Sequence, residues 1–317
     1  MSDYNQAIYL DPKMPSSYAG RGDCYRRLGD IEKALIDYAE ALRLDPTAVF
    51  AYYSRAFLYI DQKQNDLAIK DLTEAIRLKP ELSYGYEIRG IAYLSQKRYE
   101  LALEDFNQAV QLDPLNARSY SSQGLCYRGL EDYQAAIQSY TEAIRLKPDY
   151  KSAYTTLSSC YSRLEQYDQA IANLTIAISL PPEKALEYSN RAAMYNYVGK
   201  YDEALIDIEH ALRIDSQYAL AYNNRGWSYI GLRQYDLAMT NLNEANRLKP
   251  DLSFSYLWRG VVYQDDRRDY AQALSSYDQA LSITGDYKLM PKERRLAEER
   301  RQQVLDLLNA ASSQEEN

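Results

Sequence analysis

Few residues in this chain could do chemistry, and their spacing argues against it. The one histidine, His210, falls at a surface position of a helical segment, where a solvent-facing side chain is the ordinary reading. Cys24, Cys126 and Cys160 are separated by multiples of 34 residues. Disulfide and metal pairing need closer partners, so the three read as small apolar core residues and say nothing about the compartment. No H-E-x-x-H, G-x-S-x-G, Walker or dinucleotide-glycine pattern occurs. Carboxylates are abundant, but no pair stands out. Those at Asp66, Glu100, Asp132, Asp168, Asp202 and Asp236 recur at helix starts, where a negative charge suits the positive end of the helix dipole. The residues therefore point to a protein that is not an enzyme and takes no cofactor or metal.

One charged pattern is regular. Arginine recurs at Arg21, Arg55, Arg89, Arg191, Arg225 and Arg259, and aspartate at Asp37, Asp71, Asp105 and Asp207. Where the arginine is lost, at Gln123 and Leu157, Ser139 and Asn173 replace the aspartate. A half-buried guanidinium needs an acceptor, and a carboxylate met by two parallel hydrogen bonds is its best one. Structural ion pairs between helices follow. Each arginine could pair with the aspartate of its own unit or of the unit before, with Asp3 serving Arg21. The functional alternative is a row of arginines reading an anionic ligand.

These residues are carried by a repeating frame. The stretch Tyr120–Pro148 reads Tyr120, Gly124, Tyr127, Ala136, Tyr140, Ala143, Pro148, and it returns 34 residues away as Tyr86, Gly90, Tyr93, Ala102, Phe106, Ala109, Pro114. A fixed period of this length means stacked supersecondary units. Within each period two amphipathic helices are expected. In the first they lie near residues 16–28 and 32–44, with Gly29-Asp30 as the turn and Asp45-Pro46 ending the second. Small residues near positions 8, 20 and 27 of the period let the two helices approach closely.

The pattern resembles the tetratricopeptide repeat, and the resemblance covers nearly the whole chain. Eight full repeats start at Pro15, Val49, Ser83, Ala117, Lys151, Ala185, Ala219 and Ser253, with Tyr at positions 4 and 11 and Ala at position 27 throughout. The resemblance implies an all-α, right-handed α-α superhelix. Residues 1–14 form a half repeat with the second helix only, 15–286 the eight units, 287–311 a capping helix and 312–317 a disordered tail. Three departures stand out. Ser216 replaces a Pro, Asn246 replaces an apolar residue, and one extra residue in Asp265–Tyr270 should lengthen the last turn. Because the chain begins inside a repeat, it is expected to be a piece of a longer protein. Arrays of this Tyr-rich type resemble bacterial ones.

Composition narrows the partner. A net charge of -8 and a pI near 5.0 argue against nucleic acid and against a polybasic membrane patch. No apolar run approaches the ~20 residues of a membrane span, and no signal peptide is visible, so a cytoplasmic location is expected.

In the family the first helix of each repeat lines a concave groove. The resemblance therefore makes certain positions candidates for contact with a protein or peptide. Phe50, Tyr53 and Phe57 form one stripe, and Tyr84, Ile88 and Ile91 the next. Arg118, Arg128 and Arg163 stand among small polar residues, including Ser121 and Ser122. Asn190, Asn223, Asn224, Trp227, Phe254 and Trp258 make a third group. The lysines of the family's carboxylate clamp are absent. Exposed aromatics beside Asn and Arg suit protein recognition, and Asn amides can hydrogen-bond an extended backbone. The implied function is a non-enzymatic scaffold binding an extended or helical segment of a partner protein. The alternatives are a self-associating array, with homo-oligomer contacts through the aromatics, and the regulatory part of a larger enzyme.

Overall fold

The two helices of each period are separated by one residue forced into the left-handed region. In the computed structural model, which describes residues 1–315 and their side chains to residue 311, this residue has φ between +50° and +80°. It is glycine at Gly29 and Gly199, where that conformation is free of steric cost. It is Lys63, Lys97, Glu131, Glu165, Arg233 or Arg268 elsewhere, where it costs about 1–2 kcal/mol. Proline or aspartate follows the second helix in every hairpin but the last, where α17 ends at Ser282 before Ile283.

The chain divides into two units. Residues 1–153 contain α1 (Ser2–Leu10), α2 (Pro15–Arg27), α3 (Ile31–Leu44), α4 (Val49–Asp61), α5 (Asn65–Leu78), α6 (Ser83–Ser95), α7 (Tyr99–Leu112), α8 (Ala117–Gly129) and α9 (Tyr133–Leu146). The helix α10 (Lys151–Arg163) spans the boundary. The second unit continues with α11 (Tyr167–Ser179), α12 (Ala185–Tyr197), α13 (Tyr201–Ile214), α14 (Ala219–Gly231), α15 (Tyr235–Leu248), α16 (Ser253–Val262), α17 (Tyr270–Ser282) and α18 (Pro291–Glu315). No strand occurs among the described residues. In each unit the helices pack as consecutive antiparallel pairs, α2 on α3, α4 on α5 and so on, and each pair packs on the next.

Close approach within a hairpin depends on missing side-chain atoms. A Cβ on Gly124 would stand 2.7 Å from the ring of Tyr140, which is fully buried against it. Ala34, Ala68, Ala102, Ala136, Ala41, Ala75, Ala109 and Ala143 are likewise sealed in the core. Tyrosines at position 4 of the repeat solve their hydroxyl problem in a regular way. Tyr18, Tyr52, Tyr222 and Tyr256 each donate to the main-chain carbonyl six residues before, at Pro12, Pro46, Ser216 and Pro250. The acceptor is backbone, so Ser216 serves as well as proline.

The extra residue near Asp265 does not lengthen a loop as expected. It is absorbed as a π-helical turn, Tyr263–Arg267, continuing α16, which is the usual way a helix accommodates one insertion. Asn246 hydrogen-bonds the Ser255 hydroxyl. At the C-terminal end, Ala297 and Val304 of α18 are buried in one apolar cluster with Tyr277 of α17 and Leu257 of α16. The tail expected at 312–317 is helical in its backbone through Glu315, and residues 316–317 lie outside the described residues. No described helix is long and apolar enough to cross a membrane.

Candidate functional site

The arginine column is structural, and its pairing is settled by geometry. Arg21, Arg55, Arg89 and Arg191 each place Nε and Nη2 on the carboxylate sixteen residues later, at Asp37, Asp71, Asp105 and Asp207, with distances of 2.7–2.9 Å. The partner is thus the aspartate of the same hairpin, and Asp3 plays no part. The link to the preceding hairpin exists but uses a neutral oxygen. Nη1 donates to Asn5, Thr73 and Thr175 from Arg21, Arg89 and Arg191. Gln123, which stands in for arginine, keeps only this backward contact, reaching Asn107 at 2.8 Å. Arg225 turns to Asn241. Arg21, Arg89 and Arg191 each use three donors and Arg55 two, all on side chains of the array, which is a structural role rather than that of a ligand-reading row. Arg259, the last of the row, keeps a buried Nε without a hydrogen-bond partner.

In the first unit, α4 and α6 lie one hairpin apart and bring three expected residues, Tyr53, Phe57 and Tyr84, together. Tyr53 meets Tyr84 edge-on, with centroids 5.5 Å apart, and Phe57 meets Tyr84 at 6.0 Å. Gly85 permits this, since a Cβ there would touch the Tyr53 hydroxyl. Burial raises the pKa of both tyrosines. Phe50 and Tyr84 remain 44% and 46% exposed, and Phe57 and Tyr53 are half-buried. Ile88 is core and Ile91 half-buried. At the edge, the buried Glu87 carboxylate takes hydrogen bonds from Asn116 and an ion pair from Arg118 at 3.1 Å. Arg118 is therefore engaged rather than free, although its side chain stays 61% exposed. Arg128 is exposed at the end of α8, and Ser121 and Ser122 are buried.

In the second unit the expected residues are placed differently. Trp227 and Trp258 stack, 4.8 Å apart and 18° from parallel, and Tyr197 meets Trp227 edge-on at 4.7 Å. Tyr197 in turn stacks on Tyr167 at 4.6 Å. A four-ring ladder thus runs from α16 through α14 and α12 to the start of α11. Trp258 is only 9% exposed, and Trp227, Phe254 and Asn190 are half-buried. Asn223 and Asn224 are buried. The Asn224 amide donates to the Ser189 carbonyl and hydroxyl, Asn223 donates to Asn224, and Asn196 and Ser228 complete a network joining α12 to α14. Expected to face a ligand backbone, Asn224 instead ties α14 to α12 through Ser189, with its own Oδ1 taken by Asn223. Arg163 is exposed at the end of α10. His210 is half-buried and stacked on Tyr188 at 5.2 Å rather than solvated.

The ladder is covered by the chain itself. Lys292 donates to Glu165 at 2.8 Å and to the Tyr167 hydroxyl at 3.0 Å, and its ammonium lies 5.4 and 5.5 Å from the rings of Tyr167 and Tyr197. The carboxylate raises the lysine pKa, and burial beside Glu293 raises that of Tyr197, which donates to Glu293. Leu289 is buried in the cluster that holds Trp258. The Tyr287 carbonyl accepts from the Ser253 backbone and hydroxyl, Lys249 sits 3.9 Å from the Tyr287 ring, and burial pushes Tyr218 up to about 12. Tyr167, Tyr197 and this strap were not read from sequence as part of the site. Tyr197 lies at a groove position by the same repeat count, whereas a segment outside the repeat has no register to place it.

Stacked helical hairpins presenting aromatic side chains on their first helices define a repeat protein of the solenoid class. Among the described residues no three His, Cys, Asp or Glu side chains gather to hold a metal ion. Family models described as tetratricopeptide repeat match residues 15–48, 53–117, 89–151, 127–178 and 219–252, together more than half of the sequence. The chain belongs to the tetratricopeptide repeat family. Comparison with curated proteins returned no match. Among solved structures it is similar to a tetratricopeptide repeat protein from Parabacteroides merdae, with 15% identity and a TM-score of 0.65 over 81% of this chain and 98% of that one. It is similar to pilF of Pseudomonas aeruginosa, at 18% identity and TM-score 0.56 over 66% and 96%. It is also similar to YrrB, described as a TPR protein with an unusual peptide-binding site, at 22% identity and TM-score 0.51 over 58% and 95%. At these identities the likeness is one of fold.

Proposed function

We propose that this protein is a non-enzymatic scaffold that binds an extended or helical segment of a partner protein on the first helices of its repeats. The observation that carries this is the aromatic surface of α4 and α6. Tyr84 packs on Tyr53 and Phe57 and is still 46% exposed, and Phe50, on the same helix as those two, is 44% exposed. Large aromatics of this kind, rigid and with few rotatable bonds, are the residues on which partner segments anchor. The peptide-binding site named for YrrB lends support by analogy of fold.

The experiment is a selection of phage-displayed peptides on the full chain, repeated on Phe50→Ala/Tyr84→Ala. Both side chains are exposed, so circular dichroism should be unchanged. Selected peptides should lose about thirtyfold in affinity for the double variant, the loss typical of a central aromatic anchor. Equal affinity for the two proteins would remove the anchor from this patch. Concentration-dependent light scattering separates the scaffold from a self-associating array.

A further inference from the structure

A capping helix has to cover the last hairpin, and α18 does this with Ala297 and Val304 on α17. The residues just before and at the start of α18 do something else. From Tyr287 to Glu293 the chain meets Ser253 at the start of α16 through Tyr287, joins the cluster of Trp258 through Leu289, reaches Tyr167 and Glu165, more than 120 residues away in sequence, through Lys292, and accepts from Tyr197 at the end of α12 through Glu293. Glu293 is 4% exposed although it is the third residue of a terminal helix. Every contact on this path is of the kind a bound peptide makes. A backbone carbonyl is held by Ser253, an apolar side chain is seated beside a tryptophan, a lysine lies over two stacked rings with a carboxylate behind it, and a carboxylate accepts from a tyrosine.

We propose that residues 286–293 are an internal ligand of the ladder surface, and that the partner segment for these repeats shares its chemistry and binds by displacing it. That segment carries an apolar residue followed three and four positions later by a lysine and a glutamate, as Leu289, Lys292 and Glu293 do. The proposal rests on reading the array as a protein-binding scaffold, but it concerns a different surface from the Phe50–Tyr84 patch. The tethered segment competes at an effective concentration on the order of mM, so the surface is masked to weak ligands and open to strong ones.

The test uses the full chain and a fluorescent synthetic peptide of residues 284–296. In Lys292→Glu/Glu293→Lys, residue 292 meets Glu165 with like charge and residue 293 cannot accept from Tyr197, while the α17 contacts of α18 are untouched. Far-UV circular dichroism should match the parent, and acrylamide should quench the tryptophans more strongly. The peptide should bind this variant at least about tenfold more tightly than it binds the parent, and the same peptide with Lys292→Glu should not bind it. Because Glu293→Lys places a charge in a buried site, Lys292→Ala alone, at a half-exposed position, serves as the milder second variant and should show the same direction of change. Equal peptide affinity for parent and both variants, or quenching unchanged in both, overturns the proposal and leaves the segment as part of the cap. Loss of peptide binding at Phe50 and Tyr84 leaves this measurement unaffected, so the two readings fail separately.

Discussion

Arg89 and Asp105 face each other across the α6–α7 hairpin, joined by Nε–Oδ2 at 2.9 Å and Nη2–Oδ1 at 2.7 Å, while the remaining Nη1 reaches Thr73 on α5 at 3.1 Å. One side chain thus closes its own hairpin and fastens it to the one before. Asp105 is 5% exposed, so either charge left alone would be buried without a counterion. Arg89→Leu and Asp105→Leu should each lower stability by about 3 kcal/mol, and the double change by clearly less than their sum. Denaturant unfolding of the four proteins measures the coupling. Strict additivity would show that the pair does not act as one.

The Gly124–Tyr140 contact predicts a steep cost for a single methyl. The ring is fully buried and cannot swing away, so Gly124→Ala should destabilise by about 1–3 kcal/mol, despite the better helix propensity of alanine. Ala143→Leu, at an equally sealed position, should cost at least as much. Thermal melts of both variants check this.

The left-handed turn residues predict changes of opposite sign. Lys97 holds φ +59°, and Lys97→Gly should stabilise by about 1 kcal/mol, partly offset by greater freedom in the unfolded chain. Gly199 holds φ +75° with nothing within 4 Å of a Cβ, so Gly199→Ala should destabilise by about 1 kcal/mol for backbone reasons alone. Urea midpoints would resolve both.

Burial pushes the Cys126 thiol up to about 12, so it is protonated at neutral pH as well as inaccessible. Cys24 is only half-buried. A maleimide at pH 7 should label Cys24 and reach Cys126 only after denaturant unfolds the chain. Mass spectrometry of tryptic peptides identifies the labelled site, and labelling of Cys126 in the native protein would contradict its place in the core.

Helix positions and the family were legible because they depend on the 34-residue period, and Tyr, Gly and Ala report that period directly. The partner of each arginine was not legible. Two aspartates satisfied the same spacing, and only the packed geometry showed that the backward contact ends on Thr73 or Asn5 rather than on a charge. The candidate surface was half legible. Phe50 and Tyr84 are exposed where the repeat count puts them, whereas Trp258, Asn223 and Asn224 are at groove positions but buried. Periodicity assigns a side chain to a face of its helix. It carries no information on what lies over that face, and here the cover is the neighbouring α12 for Asn224 and, for Trp258, a cluster that includes Leu289.

The tyrosine hydroxyls that donate to a carbonyl six residues back have a consequence for how such a chain can be rebuilt. At each of these joints the receiving partner is a main-chain atom, offered equally by Pro12, Pro46, Ser216 and Pro250. A hairpin moved to a new neighbour would find the same oxygen in the same place, whatever side chain that neighbour carried. Duplication, deletion or grafting of whole 34-residue blocks therefore leaves this fastening intact, and such edits have to be matched only where side chain meets side chain, as at Arg89 and Thr73.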